Sequence, residues 1–147
     1  MCRNVFAKQV SVFLENSAGK IAELTRILAQ NGIDLVSISI ADTATFGIVR
    51  FITSSWEKAV HLLEQAGYTT RVDDVTVVSV PDRPGGLADI LGILNQAGLG
   101  VEYMYSFNRA YQGNALIVLR TNDNEKAQAT LEEKRIRLIG QDAIGNL

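Results

Sequence analysis

The chain of 147 residues is 47% hydrophobic and 20% charged, with 14 Lys+Arg against 16 Asp+Glu, the make-up of a globular chain with room for one good core or two small ones. A formal net charge of -2 excludes a broad polyphosphate-binding surface, which takes a Lys/Arg excess, so no nucleic-acid partner is expected. Cys2 is the one cysteine and His61 the one histidine, which excludes an internal disulfide, a zinc site and a redox centre; no metal or cofactor is expected.

Residues 1–10 hold no apolar signal-peptide core. Charged residues break every apolar run well short of the roughly 18 to 20 needed to span a bilayer. A cytoplasmic chain without membrane contact is expected. Residues 9–14 alternate, with Val10, Val12 and Leu14 on one face, and predict a strand. Gly19 opens a helix on Ile21, Leu24 and Leu28, and Gly32 closes it. Residues 33–41 and 48–53 are β-branched-rich strands joined by a hairpin at 42–47. Ser55 is placed to cap a second helix, with Trp56, Ala59, Val60 and Leu63 at i, i+3, i+4 and i+7. Gly67 stops it, residues 68–72 make the next strand, and Asp73-Asp74 reads as a polar turn. The plan then repeats. A strand at 75–80 leads to a helix on Leu87, Ile90, Leu91 and Leu94, strands at 99–107 and 115–120, a helix after Asn122 on Ala127 and Leu131, and a last strand at 135–139.

The two halves are copies. Val12, Gly19, Ala22, Ile27, Leu28, Gln30 and Gly32 meet identical residues at Val78, Gly85, Ala88, Ile93, Leu94, Gln96 and Gly98, an offset of 66. Glu57-Lys58-Ala59 recurs as Glu125-Lys126-Ala127 at an offset of 68, so the second copy carries two extra residues, which fall near 111–114. Each copy reads βαββαβ, the ferredoxin-like order that packs two helices on one face of a four-stranded antiparallel sheet. An α+β chain is expected, with residues 1–73 as the first unit and 74–147 as the second, side by side because no linker separates them. That order names no function.

Catalytic chemistry finds few candidates. His61 flanks a helix stripe and Cys2 lies near a terminus with no basic neighbour pattern to lower its pKa. Asp73-Asp74 reads as a turn, and Asp82 and Asp89 lack a second acid at a spacing suited to acid/base work. No catalytic residue is assigned, and the chain is not expected to be an enzyme. Tyr103, Tyr105 and Phe107 alternate on one strand and could stack bases as in RNA-recognition domains. The Lys/Arg-Gly-aromatic signature is missing, the strand lies at a sheet edge in this topology, and the chain is acidic; an aromatic face toward another subunit is the better reading.

What remains is the repeated turn from strand into helix, Asn16-Ser17-Ala18-Gly19-Lys20 and Asp82-Arg83-Pro84-Gly85-Gly86. The first amides of a helix lack partners within it and carry about half a positive charge, a ready site for a carboxylate or phosphate. Asn16 or Asp82 can instead cap the helix, or bind a ligand's ammonium group. Here the chain resembles the ACT domain family of amino-acid-binding regulatory modules. Asp82-Arg83-Pro84-Gly85-Gly86-Leu87, followed by Ile90, Leu94 and Gly98, is similar to the family's Asp/Asn-x-Pro-Gly turn, helix and glycine ahead of the next strand. Asn16 to Gly19 is similar with Ala18 in place of the proline, and Asn31-Gly32-Ile33-Asp34 fits the start of the second strand.

Both halves match, so nearly the whole chain resembles free-standing tandem ACT proteins of bacteria. The resemblance implies two units paired through their second strands into eight strands, with a small ligand, usually an amino acid, between the first turn of one and the second-strand start of the other. It places Asn16, Ser17, Ala18, Gly19 and Lys20 with Gly100 and Val101, and Asp82, Arg83, Pro84, Gly85, Gly86 and Leu87 with Asp34 and Leu35. Gly100 stands where the first half has Asp34, so the two sites are not equivalent, and Arg83 is left to pair with Asp34 or with a ligand carboxylate. A module that contacts proteins without a ligand is the alternative. A homodimer is also expected, because Val77, Tyr103, Tyr105 and Phe107 fall on the sheet face away from the helices and would form an exposed apolar patch.

Overall fold

The computed structural model describes residues 5–15, 17–42 and 46–147; Cys2, Asn16 and the middle of the 42–47 hairpin lie outside them. The elements run β1 (Ala7–Glu15), α1 (Lys20–Gln30), β2 (Ser37–Asp42), β3 (Phe46–Ile52), α2 (Trp56–Gln65), β4 (Thr69–Pro81), α3 (Gly86–Gln96), β5 (Val101–Ser106), β6 (Asn114–Thr121), α4 (Asn124–Glu133) and α5 (Gln141–Ile144). The chain divides into two compact units, Lys8–Asp74 and Val75–Leu147, and residues 5–7 belong with the second.

In the first unit the strand order is β2-β3-β1-β4, with β1 antiparallel to β3 and Val12 opposite Val49. Strand alternation sends Val10, Val12, Leu14, Val49 and Phe51 to one side, where Leu24 and Leu28 of α1 and Ala59 and Leu63 of α2 meet them. Each large side chain buried this way contributes about 1.5–3 kcal/mol. The second unit repeats the layout with the order β4-β6-β5 and a core of Val78, Val80, Ile90, Leu94, Ile117, Leu119, Ala127 and Leu131. No described helix is long and apolar enough to cross a membrane.

Several expectations are corrected. Asp73-Asp74 is not a turn: β4 is one strand of 13 residues that runs straight through it. Asp73 pairs with Arg71 at 3.1 Å and Asp74 with Lys8 at 2.7 Å, so the acids are satisfied from extended backbone. The last strand at 135–139 shrinks to a bridge between Val78 and Leu138, made by Ser79 N–H to Arg137 O and Ile139 N–H to Val77 O, both 2.9 Å. Arg135 at φ 60 turns the chain just before it, and the second unit lacks its fourth strand. β2 has β3 as its hydrogen-bonded neighbour and β5 has β6, so each second strand is an edge strand.

The expected apolar patch is also absent as drawn, because Val77 at 0% and Phe107 at 9% exposure are buried. Tyr103 and Tyr105 are half-buried and stack on each other, ring centroids 6.4 Å apart. Ser55 precedes α2 without a capping bond from its side chain. The two extra residues do form a turn: Gln112 at φ 52 and Gly113 at φ 80 reverse the chain between Tyr111 and Asn114, as a tight hairpin demands.

Residues 5–7 reach the second unit through Gln128, which is buried. Its side-chain oxygen accepts from the Val5 amide at 2.8 Å, and its nitrogen donates to Val5 O at 2.6 Å and to Thr76 Oγ1 at 3.2 Å. The Gln141 amide donates to Phe6 O at 3.1 Å.

Candidate functional site

The two turns share one geometry. Gly19 and Gly85 both stand at φ 87 in the left-handed region, where a side chain is disfavoured. Around them the bonds repeat in register: Ser17 N–H to Glu15 O at 2.8 Å and Glu23 N–H to Gly19 O at 2.9 Å, then Arg83 N–H to Pro81 O and Asp89 N–H to Gly85 O, both 2.9 Å. The helices therefore start on glycines that offer no capping side chain. Asp82 is exposed and makes no hydrogen bond among the described residues. Between the bonded amides of Gly86 and Asp89, those of Leu87 and Ala88 have no partner within α3; Ile21 and Ala22 hold the same places in α1.

Crowding in the second turn falls on Gly86 and not on Gly85. A Cβ at Gly19 would meet nothing within 4 Å, and one at Gly85 only the Arg83 guanidinium at 3.6 Å. A Cβ on Gly86, in contrast, would collide with the backbone oxygen of Pro81. Gly85 is required by its backbone angle and Gly86 by close approach, while Lys20 occupies the place of Gly86 in the first copy.

The remaining expected residues differ in availability. Ser17, Ala18, Asp34 and Pro84 are exposed, and Lys20 and Leu87 are half-buried. Leu35 packs on the first core. Arg83 is engaged by its own helix: it donates to Asp89 Oδ2 and to Pro84 O, both at 3.2 Å. Gly100 N–H donates to Asn122 Oδ1 at 2.9 Å and Gly100 O accepts from Asn122 N–H at 3.2 Å, so its backbone is already used. Val101 is 38% exposed.

Sequence reasoning missed a cleft of about 320 Å³ in the first unit. Phe13 and Glu15 line it from the end of β1, Lys20 and Glu23 from the first turn of α1, Phe46 from the start of β3, and Tyr68 from the step between α2 and β4. The Tyr68 hydroxyl donates to Glu23 Oε1 at 2.7 Å. Burial first, then the hydrogen bond and charge of Glu23, push the Tyr68 phenol up to about 12, so it stays a neutral donor that fixes the Glu23 carboxylate. The one available signal was outward apolar residues at Phe13 and Phe46, which break the polar side of the strand pattern. No group of three or more His, Cys, Asp or Glu among the described residues could hold a metal ion.

A family model described as an ACT domain pair matches residues 5–147. The chain is similar to protein BT0572 from Bacteroides thetaiotaomicron, with 38% identity, 97% of this chain and 98% of that one covered, and a TM-score of 0.89. It shares its fold with the ligand-free regulatory subunit of aspartate kinase from Thermus thermophilus, at 16% identity, 91% and 94% covered and a TM-score of 0.63. The regulatory subunit of aspartate kinase from Thermus flavus is similar at 16% identity, 88% and 93% covered, with a TM-score of 0.57. No curated protein matches the chain.

Proposed function

The chain belongs to the ACT domain pair family, and on that premise we propose that it is a non-catalytic, cytoplasmic regulatory module whose ligand is a free amino acid. The observation that carries the reading is the duplicated turn. Each copy opens its helix on a left-handed glycine with no capping side chain, which leaves first-turn amides for a carboxylate. In this reading Asn16, Asp82 or Asp34 takes the ammonium group. The regulatory subunits of aspartate kinase from two Thermus species, similar in fold, are consistent with a regulatory role.

Isothermal titration against the proteinogenic amino acids tests it. Binding with a dissociation constant below about a millimolar, roughly -4 kcal/mol, is expected for at least one. Failure of all of them overturns the sensor reading and leaves a protein-contact module.

A homodimer belongs to the same proposal, now carried by different residues. The edge strand β5 exposes Met104 at 41% and Val101 at 38%, apolar side chains beside main-chain groups suited to pairing with a second copy.

A further inference from the structure

We infer that the cleft beside the first turn is an amino-acid site complete within the first unit, selective for a zwitterion with an apolar side chain. The inference rests on the amino-acid reading and gives the ligand a location and a class. Ligand sites run from about 300 to 1,000 Å³, so a cleft of about 320 Å³ suits a molecule of amino-acid size and not a nucleotide.

Its lining offers what a zwitterion needs. Lys20 supplies a cation without an ion-pair partner among the described residues. Glu15 and Glu23 supply anions, and Glu23 is held in place by the Tyr68 hydroxyl at 2.7 Å. Opposite ends of two helices meet there as well, the start of α1 at Lys20 and the end of α2 at Ala66, which favours a carboxylate at one side and an ammonium at the other. Phe13 at 40% and Phe46 at 55% exposure give an apolar side chain surface to cover. Glu15 and Phe46 lie opposite each other in the β1–β3 pairing.

The second copy lacks this chemistry. At the repeat offsets Asp89 keeps the acid of Glu23 but is paired with Arg83 at 3.2 Å, while Ser79, Pro81, Gly86, Asn114 and Ile136 stand for Phe13, Glu15, Lys20, Phe46 and Tyr68. Asn114 Nδ2 there donates to Ser79 Oγ at 3.0 Å, so the positions of the two phenylalanines are closed on each other. The cleft is therefore a property of the first copy's side chains and not of the shared fold.

The test titrates the whole chain with L-leucine, L-isoleucine and L-phenylalanine by calorimetry and by amide NMR. Binding is expected to shift the amides of Glu15, Glu23, Gly67 and Tyr68. 4-Methylpentanoate and isoamylamine, leucine without its ammonium and without its carboxylate, should each bind at least about tenfold more weakly. Phe46→Ala and Glu23→Gln should each weaken leucine by about tenfold, and Glu125→Gln, exposed on α4 of the second unit, should leave it unchanged; circular dichroism verifies each fold. Unchanged leucine binding in both cleft variants overturns the cleft while the amino-acid reading survives. No binding of any amino acid to the wild-type chain overturns both.

Discussion

The Tyr68 hydroxyl donates to Glu23 Oε1 at 2.7 Å across 45 positions of sequence. This bond ties the first turn of α1 to the first residue after the stop of α2, at the same end of the unit.

Tyr68→Phe removes the donor and is expected to destabilise the chain by about 1 kcal/mol at neutral pH. The native phenol is raised from 10.0 to about 12, so the folded chain keeps a proton that the unfolded chain loses. Its contribution is full below about pH 10 and disappears as pH rises through about 12. Denaturant midpoints across that window check this: the native chain should lose stability more steeply than Tyr68→Phe, and parallel slopes would contradict the assignment.

The two glycines of the second turn separate backbone angle from close approach. Gly85→Ala, at φ 87, should cost about 1–2 kcal/mol. Gly86→Ala, whose added Cβ would collide with the Pro81 backbone oxygen, should cost about 3 kcal/mol, or a melting temperature lower by about 6–12 °C. Thermal denaturation orders them, and the reverse order would be inconsistent with this turn.

Gln128→Leu keeps the volume but strands the Val5 amide and carbonyl bonded to it at 2.8 and 2.6 Å. A loss of about 1–3 kcal/mol is expected, with faster tryptic cleavage at Lys8. Unchanged cleavage would show that residues 5–7 are held by other contacts.

Sedimentation at micromolar concentration addresses the dimer. A dimer is expected for the native chain and a 16.0 kDa monomer for Met104→Glu, whose charge would be buried against a second copy. A native monomer rules the contact out.

The parts of the fold set by periodicity were legible. Leu24 and Leu28, or Ile90 and Leu94, announce their helices because a buried stripe must recur every three to four residues. Gly19 and Gly85 announce their turns because that backbone angle excludes other side chains. Asp73-Asp74 misled because two acids in a row favour a turn only when nothing binds them, and Lys8 and Arg71 do. The segment 135–139 carries a strand's composition, but Arg135 at φ 60 leaves it room for a single bridge. The cleft was hidden for a different reason. Phe13, Glu23 and Phe46 come from three elements and Tyr68 from the step between α2 and β4, and no short-range pattern records that α2 stops beside the start of α1.

The bonds between Val5 and Gln128 join residues 123 positions apart, which gives the chain an order of completion during synthesis. The ribosome releases Val5 first, yet its partner only after all of the Lys8–Asp74 unit and most of the second unit have been made. The first unit has every strand and helix it needs in hand by Asp74, and domains generally fold as units in the order of synthesis. The second waits for α4, with its earliest-made segment undocked until then. A nascent chain halted short of Gln128 thus carries one finished unit and one that is open to chaperones and proteases.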